Sequence, residues 1–399
     1  MSSRIMSIFR LLLVGACLIP TGLAQDSLTI VKAARVYVGN GEVIENGMVA
    51  FKGGRIVQVA ANITVPDGAT VVDLGEGCVT PGLIDASTDT GLGSRSMDER
   101  SEIIPEDAAL DGVDLFSKQF GVQAREGVTT VFVGGGTAGV IGPRGVVLKT
   151  AGAADQRVLD ADGAVRAVFN DSPERGNRRP LGSAPPSLKS RRPTTKMGTV
   201  FVFRDAMTNA LSKTGNKKSN EILTQVLTGK RKLFALADLP HEFAMARSLS
   251  REFGLKFVIE RGKRVHECLD VVKSQGYSVI YGPQPASIVE ARREKVLLST
   301  PSILQQNKIP FALTAAGQVG VRGLSAQCTQ AIRHGLSVGD AVVAVTGSPA
   351  TLLGVDNRVG TLVSGKDADM VCWTRGAFGA DSRPEVVFIG GVKVKGRSY

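Results

Sequence analysis

Ser87 and Asp89, in the stretch PGLIDASTDTGL, directly follow an apolar run and have side chains suited to chemistry at a strand end. A serine nucleophile needs a neighbouring base, most often histidine. The chain has only three histidines: His241 at the start of a predicted helix, His266 early in the next, and His334 near the end of a third. These positions favour surface or capping roles, and they disfavour both serine-based hydrolysis and a histidine-based metal site.

The elements that must position these residues change in character along the chain. From Leu28 to about Val72, short alternating strands are separated by glycines, which predicts an antiparallel sheet. From 81 to about 355, apolar strands alternate with helical stretches such as HEFAMARSLSREFG, which has apolar residues every three or four positions and a glycine stop at Gly254. This alternation predicts a parallel α/β architecture, with a closed eightfold barrel as the natural candidate.

The predicted strands of this middle region are short and rich in apolar residues. They are LIDA, VTTVFVGG, GVVLKT, AVRAVF, KLFALAD, KFVIER, YSVIYGP and PFALTAA. The glycine-rich FVGGGTAG lacks the Lys-Ser/Thr pair of a P-loop, and we interpret it as the turn after a barrel strand.

Three motifs, in order along the chain, resemble those of the amidohydrolase superfamily, particularly its exported imidazolonepropionase-like members. They are CVTPGLIDA, EGVTTV and SPATLLGVDNRVGTLVSGKDADMV. The resemblance implies a TIM-type (β/α)8 barrel over 81–355, with a small β-sandwich domain formed by both chain ends, 26–80 and 356–399. It also implies hydrolysis of carbon-nitrogen bonds assisted by zinc or another divalent metal, which activates a bound water and polarises the scissile carbonyl.

The positions that match the metal ligands of the family carry other residues. These are Ser87 and Asp89 on the first strand, Asp238 and Arg261 on two middle strands, and Ala315 or Ala316 on the last. Lys149 is a match to a family lysine whose role the sequence does not define. We therefore predict no metal cofactor.

Removal of a metal leaves carboxylates without a counter-charge, which is costly in a buried site. We hypothesise that the guanidinium of Arg261 takes the place of the metal and pairs with Asp238, with Asp89 as a further partner. Three alternatives remain open: independent drift of each position, weak Mg²⁺ or Ca²⁺ binding through Ser87, Asp89 and Asp238, and acid/base catalysis by the two aspartates.

Two functions follow from these substitutions. The favoured one is a pseudoenzyme that binds a small-molecule ligand in the barrel mouth or a protein partner. The alternative is an active hydrolase of non-peptide carbon-nitrogen bonds with a histidine-free site. Homo-oligomerisation, or pairing with an active homologue as a non-catalytic subunit, is a further expectation.

The first 24 residues carry an apolar run and end in small residues, which predicts a signal peptide and a periplasmic or extracellular protein. No segment reaches transmembrane length. The net charge is +11, and much of the excess of basic residues lies in 170–196, which is predicted to be a solvated loop or, alternatively, a surface for polyanions. Nucleic acid is not an expected partner, because no aromatic residues interleave these charges.

Cys78 and Cys372 are the pair to check for a disulfide, although buried free thiols are favoured.

Overall fold

The computed structural model describes residues 27–93, 96–99, 101–178 and 192–394. The predicted signal peptide, 1–24, lies outside them. Within these ranges no helix is long and apolar enough to cross a membrane.

Strands from both chain ends form two sheets that pack on each other. One has the order β5-β4-β1-β6 and the other β20-β19-β18-β7-β2-β3. Side chains from both sheets share one core, which contains Val31, Phe51, Met370 and Phe388. The bounds are Thr29–Lys32 (β1), Arg35–Tyr37 (β2), Val43–Glu45 (β3), Met48–Lys52 (β4), Arg55–Ala60 (β5), Thr70–Asp73 (β6), Cys78–Pro81 (β7), Met370–Trp373 (β18), Pro384–Ile389 (β19) and Val392–Val394 (β20).

The middle of the chain forms two further sheets. The bounds are Leu83–Thr88 (β8), Val128–Val133 (β9), Ile141–Arg144 (β10), Val146–Lys149 (β11), Val158–Asp160 (β12), Val165–Val168 (β13), Leu233–Ala237 (β14), Phe257–Arg261 (β15), Ser278–Tyr281 (β16) and Phe311–Leu313 (β17). One sheet has the order β12-β11-β9-β8 and the other β10-β13-β14-β15-β16-β17. Strands β13 to β17 are mutually parallel, as predicted.

The inward-facing side chains of these two sheets meet in a single apolar cluster. Ile84 and Phe132 come from one sheet, and Phe234, Ile280 and Ala312 come from the other. At the open side, β17 lies beside β8, although no strand pairing joins them among the described residues. The architecture is therefore mixed α/β, and hydrogen bonding divides its central strands into two sheets.

Helices cover the outside of the central strands. Their bounds are Lys118–Arg125 (α1), Ser172–Arg178 (α2), Lys196–Ser212 (α3), Lys217–Leu227 (α4), Pro240–Phe253 (α5), Leu269–Gln275 (α6), Ile288–Glu294 (α7), Thr300–Gln306 (α8), Leu324–Arg333 (α9), Val338–Ala344 (α10) and Gly347–Leu353 (α11).

Helix α5 forms where its pattern predicts it. Phe243, Ala246 and Leu249 are buried, Pro240 occupies the first turn, and Gly254 ends the helix with a φ of +67°. The Glu242 side chain accepts a hydrogen bond at 2.7 Å from the backbone N–H at position 238. This contact fixes the turn that joins β14 to α5.

The prediction that 170–196 is entirely loop is wrong at both ends. Helix α2 occupies 172–178, because the Asn170 side chain accepts a hydrogen bond from the N–H of Ser172 and begins the helix. At the other end, Lys196 starts α3 and its ammonium group lies 3.3 Å from the Glu242 carboxylate. The intervening 179–191 lie outside the described residues.

Cys78 and Cys372 are buried free thiols, as are the other two cysteines of the described ranges. On the paired strands β7 and β18, Cys78 lies opposite Trp373, and Cys372 lies opposite Val79. Successive residues point to opposite faces of a sheet, so the two thiols lie on different faces. The favoured state of these cysteines is confirmed.

Candidate functional site

The parallel central strands end around a small cavity. It has a volume of about 130 Å³, and its walls are Ser87, Thr88, Asp89, Ser96, Gly135, Gly136, Thr137, Arg166, Arg261 and Ala316. Three of the four predicted site residues, Ser87, Asp89 and Arg261, thus come together there. Asp238 follows the end of β14 and is not among the residues that form the walls. We call this the mouth cavity.

A buried ion pair that the sequence analysis did not predict lies at the base of the mouth cavity. Arg166 on β13 and Glu260 on β15 are 4% and 0% exposed. The Nε and Nη2 atoms of Arg166 each donate to one carboxylate oxygen of Glu260 at 2.6 Å. The Ser87 hydroxyl also donates to this carboxylate, and Nη1 of Arg166 donates to the carbonyl of Gly135 at 2.5 Å.

The electrostatics of the pair favour the charged form of Glu260. Burial raises the pKa of Glu260, but the charge of Arg166 and the hydrogen bonds from Arg166 and Ser87 outweigh it, so the pKa lies below its ordinary value. A bidentate guanidinium-carboxylate contact is among the strongest polar contacts in proteins. Each member of the pair therefore finds its counter-charge in the other.

Glycines after β9 make room for the Arg166 side chain. A Cβ atom added at Gly134 would lie 2.5 Å from Nη2 and 2.8 Å from Cζ of Arg166. The next residue, Gly135, has a φ of +76°, which side chains rarely adopt. The FVGGGTAG segment is thus the turn after a strand, as predicted, and it also forms a seat for a guanidinium.

Arg261 ends β15 with a φ of +71°. Its guanidinium forms no ion pair within 4 Å of Asp238, Asp89 or any other carboxylate of the described ranges, so the predicted pairing is wrong. Burial raises the pKa of Asp238, an effect that the nearby charges of Arg261 and Lys263 reduce but do not cancel. The preceding residue, Glu260, is the buried carboxylate at this strand end, and it already forms an ion pair with Arg166.

A second buried carboxylate connects the two central sheets below the mouth. Asp85 accepts hydrogen bonds from the Thr314 hydroxyl and, at 3.0 Å, from the N–H of Gly317. Burial raises its pKa to about 6, although these hydrogen bonds oppose the shift. The Thr314 hydroxyl lies 3.1 Å from the carbonyl of Ser87, which fixes the end of β8 beside β17.

Lys149 lies at the opposite end of the central strands. Strand β11 runs antiparallel to β9, so its last residue is far from the strand ends that surround the mouth cavity. The Lys149 ammonium group lies 2.7 Å from Asp367 and 2.9 Å from Asp369, both buried. Its position is that of a structural cation next to a separate cavity of about 690 Å³.

None of the three histidines borders the mouth cavity. His241 is 55% exposed on the first turn of α5, and His334 caps the end of α9, as expected. His266 lies in a short 3-10 turn before α6, not in the helix, and only 10% of its side chain is exposed. The expected surface or capping role is therefore wrong for His266, because that turn packs against the helices around it.

Most of the chain is similar to proteins described as amidohydrolases. Over 374 residues it is 24% identical to the amidohydrolase tasK of Hapsidospora irregularis, an alignment that covers 82% of this chain and 37% of that relative. The solved amidohydrolase from Thermotoga maritima MSB8 is 25% identical and superposes with a TM-score of 0.82, covering 92% of this chain and 100% of that one. The chain is an amidohydrolase homologue. It spans little more than a third of the length of tasK, and no family model matches it.

Members of the superfamily usually use a divalent metal. A solved adenosine deaminase from Xanthomonas campestris with bound zinc is 16% identical to this amidohydrolase homologue and superposes with a TM-score of 0.51, covering 92% of each chain. In the described part of the present chain, no group of three or more His, Cys, Asp or Glu side chains is placed to hold a metal ion.

The donor set of this mouth does not fit a divalent cation. Two guanidiniums, those of Arg166 and Arg261, form part of its wall. Both oxygens of the buried carboxylate, Glu260, accept from Arg166. A cation placed there would have to displace Arg166 and leave the guanidinium buried without a partner, which is costly.

Proposed function

We propose that this amidohydrolase homologue is a pseudoenzyme that binds a small-molecule ligand at the mouth of its central strands. The observation that carries the proposal is the buried Arg166–Glu260 pair with its Ser87 hydrogen bond. The pair places a guanidinium in the mouth and uses both oxygens of the buried carboxylate, so Glu260 has no oxygen free for a metal.

The alternative is an active hydrolase of non-peptide carbon-nitrogen bonds. The names of its relatives favour this alternative. Asp89 is the one exposed carboxylate in the wall of the mouth cavity, and it lies two residues from Ser87. A general base needs this access to water and substrate, so Asp89 is the residue on which such an activity would depend.

Elemental analysis separates the two proposals. The purified protein is incubated with excess zinc, manganese, magnesium or calcium, desalted, and analysed by plasma mass spectrometry, in parallel with hydrolysis assays on amide and cyclic amide substrates. We expect far less than one ion per chain and no turnover. Turnover that is lost in Asp89→Asn but kept in Asp67→Asn, or one bound ion per chain, would contradict the pseudoenzyme proposal. Asp67 is an exposed surface carboxylate and provides the matched control.

We also propose that the two central sheets form one (β/α)8 barrel over 81–355, and that the chain-end sheets of 26–80 and 356–399 form a β-sandwich. The shared inner cluster of the central sheets and the common core of the end sheets support this division.

Export after cleavage at residue 24 is tested by N-terminal sequencing of the mature protein. Oligomeric state, or pairing with a histidine-complete homologue, is tested by light scattering and co-purification.

A further inference from the structure

The two guanidiniums of the mouth cavity differ in their contacts. Arg166 uses Nε, Nη1 and Nη2 in hydrogen bonds. Arg261 has no ion pair among the described residues, and its Nε is buried without a hydrogen-bond acceptor. An arginine always carries its charge and offers five N–H donors. Because Nε is buried, the donors of Arg261 that a ligand in the cavity can meet are its terminal Nη1 and Nη2 groups, which form no hydrogen bond among the described residues.

The backbone around the same cavity is strained at two positions. Arg261 and Ala316 have φ values of +71° and +52°, in the left-handed region that favours glycine. Arg261 is the last residue of β15 and Ala316 follows β17, and both contribute to the wall of the mouth cavity. Strain of this kind gathers at ligand sites, where the surrounding structure holds side chains in place before the ligand binds.

Further donors border the cavity. The backbone N–H groups of Gly135 and Thr137 have no hydrogen-bond acceptor among the described residues, and both residues are part of the wall. The carboxylate in the wall is that of Asp89. The wall thus holds two guanidiniums, those of Arg166 and Arg261, and one carboxylate, which suits an anion.

From these observations we propose that the mouth cavity binds a small monocarboxylate, held by the guanidinium of Arg261. This proposal rests on the proposed function, in which the mouth binds a ligand and not a metal. The fork of a guanidinium matches a carboxylate, which accepts hydrogen bonds on both oxygens. The volume of about 130 Å³ is well below the range of roughly 300 to 1,000 Å³ for drug-sized ligands, so the anion has few atoms. The charge of Asp89 disfavours a dianion.

The test uses acetate as the probe, with acetamide as a neutral comparator of the same shape and inorganic phosphate as a second anion. A ligand of this size binds no more tightly than on the order of tens of micromolar, so binding is followed by saturation-transfer NMR titration. We expect acetate to bind at least about tenfold more tightly than acetamide, because a hydrogen bond to a charged group has this effect. Phosphate should bind more weakly than acetate.

Arg261→Gln should weaken acetate binding about tenfold or more, and Arg261→Lys should recover only part of the loss, because an ammonium has no fork. Arg264→Gln is the matched control. Arg264 belongs to the same segment, pairs with Glu267 and is absent from the wall of the mouth cavity. Its variant should bind acetate as the wild type does, and unchanged thermal unfolding midpoints check that all variants fold.

Equal binding of acetate and acetamide, wild-type affinity in Arg261→Gln, or tighter binding of phosphate than acetate would each overturn the proposal. The absence of acetate binding would overturn it too. These failures are distinct from failure of the proposed function, which would show as stoichiometric metal or as turnover.

Discussion

Replacement of Arg166 by methionine removes one member of the buried pair and leaves Glu260 without its cation. Glu260 is 0% exposed, so water cannot take over the lost contacts. The hydrogen bond from Ser87 remains but carries no full charge. The folded protein must then either bury an unpaired carboxylate or take up a proton at that carboxylate, and both outcomes lower its stability.

The size of the effect follows from the burial of both partners. Removal of one member of a buried ion pair costs about 3 to 5 kcal/mol. With an unfolding entropy of about 2.1 cal/mol/K per residue, a chain of 399 residues loses about 4 to 6 °C in Tm for that cost. The double variant Arg166→Met with Glu260→Met removes both charges, so it should lose clearly less than the sum of the two single variants.

Calorimetry or near-UV circular dichroism gives the midpoints, and the chain offers a matched control. Arg204 and Glu252 also form an ion pair, in which Nε donates to both carboxylate oxygens, but their side chains are 43% and 39% exposed. Arg204→Met should therefore cost under about 1 kcal/mol. The deficit of the Arg166 variant should also shrink as pH falls, because a protonated Glu260 needs no cation. Equal midpoints for the two methionine variants would refute the assignment of the Arg166 pair as a buried structural element.

Three further predictions concern other parts of the structure. Burial raises the pKa of Asp85 to about 6, so between about pH 4 and 6 the folded protein keeps a proton that the unfolded chain has released, and stability falls as pH rises. In denaturant titrations the free energy of unfolding should fall by about 3 kcal/mol over this pH range, and Asp85→Asn should abolish that fall. Parallel pH curves for the two proteins would contradict this prediction. Lys149→Met should lower the free energy of unfolding by about 3 kcal/mol or more, because it leaves Asp367 and Asp369 without their buried cation. Acetate binding should not change, because Lys149 lies away from the mouth cavity, and altered binding would contradict this placement. Gly134→Ala should lower Tm by displacing Arg166, whereas Gly376→Ala, with open space at its Cβ, should not, and equal midpoints would count against the seat.

Local patterns were enough to predict much of the fold. Helix α5 and strands β14 to β17 lie where periodicity and glycine stops place them. The strand GVVLKT was also found, but its antiparallel direction was not foreseen, because a five- or six-residue apolar run has the same composition in either direction. The direction of β11 decides that Lys149 lies away from the mouth.

The site was predicted only in part, because pairing across the central strands is not a local property. Arg166 in AVRAVF and Glu260 in KFVIER are single charges inside apolar strands, and such residues are seldom fully buried unless paired. That signal marks both as unusual. Their partnership depends on β13 and β15 being separated by β14 alone, which only the strand order establishes.

The mouth thus contains two cations with separate roles, and this separation has a measurable consequence. Arg166 is fully occupied by Glu260 and Gly135, so its loss should act on stability. Arg261 has no such partner, so its loss should act on ligand affinity and little on unfolding. If the division is correct, a variant of Arg261 should show the same acetate deficit in any background that keeps the Arg166 pair. Strong coupling between Arg261 and Glu260 in a double-mutant cycle of unfolding would mean instead that both arginines stabilise one carboxylate.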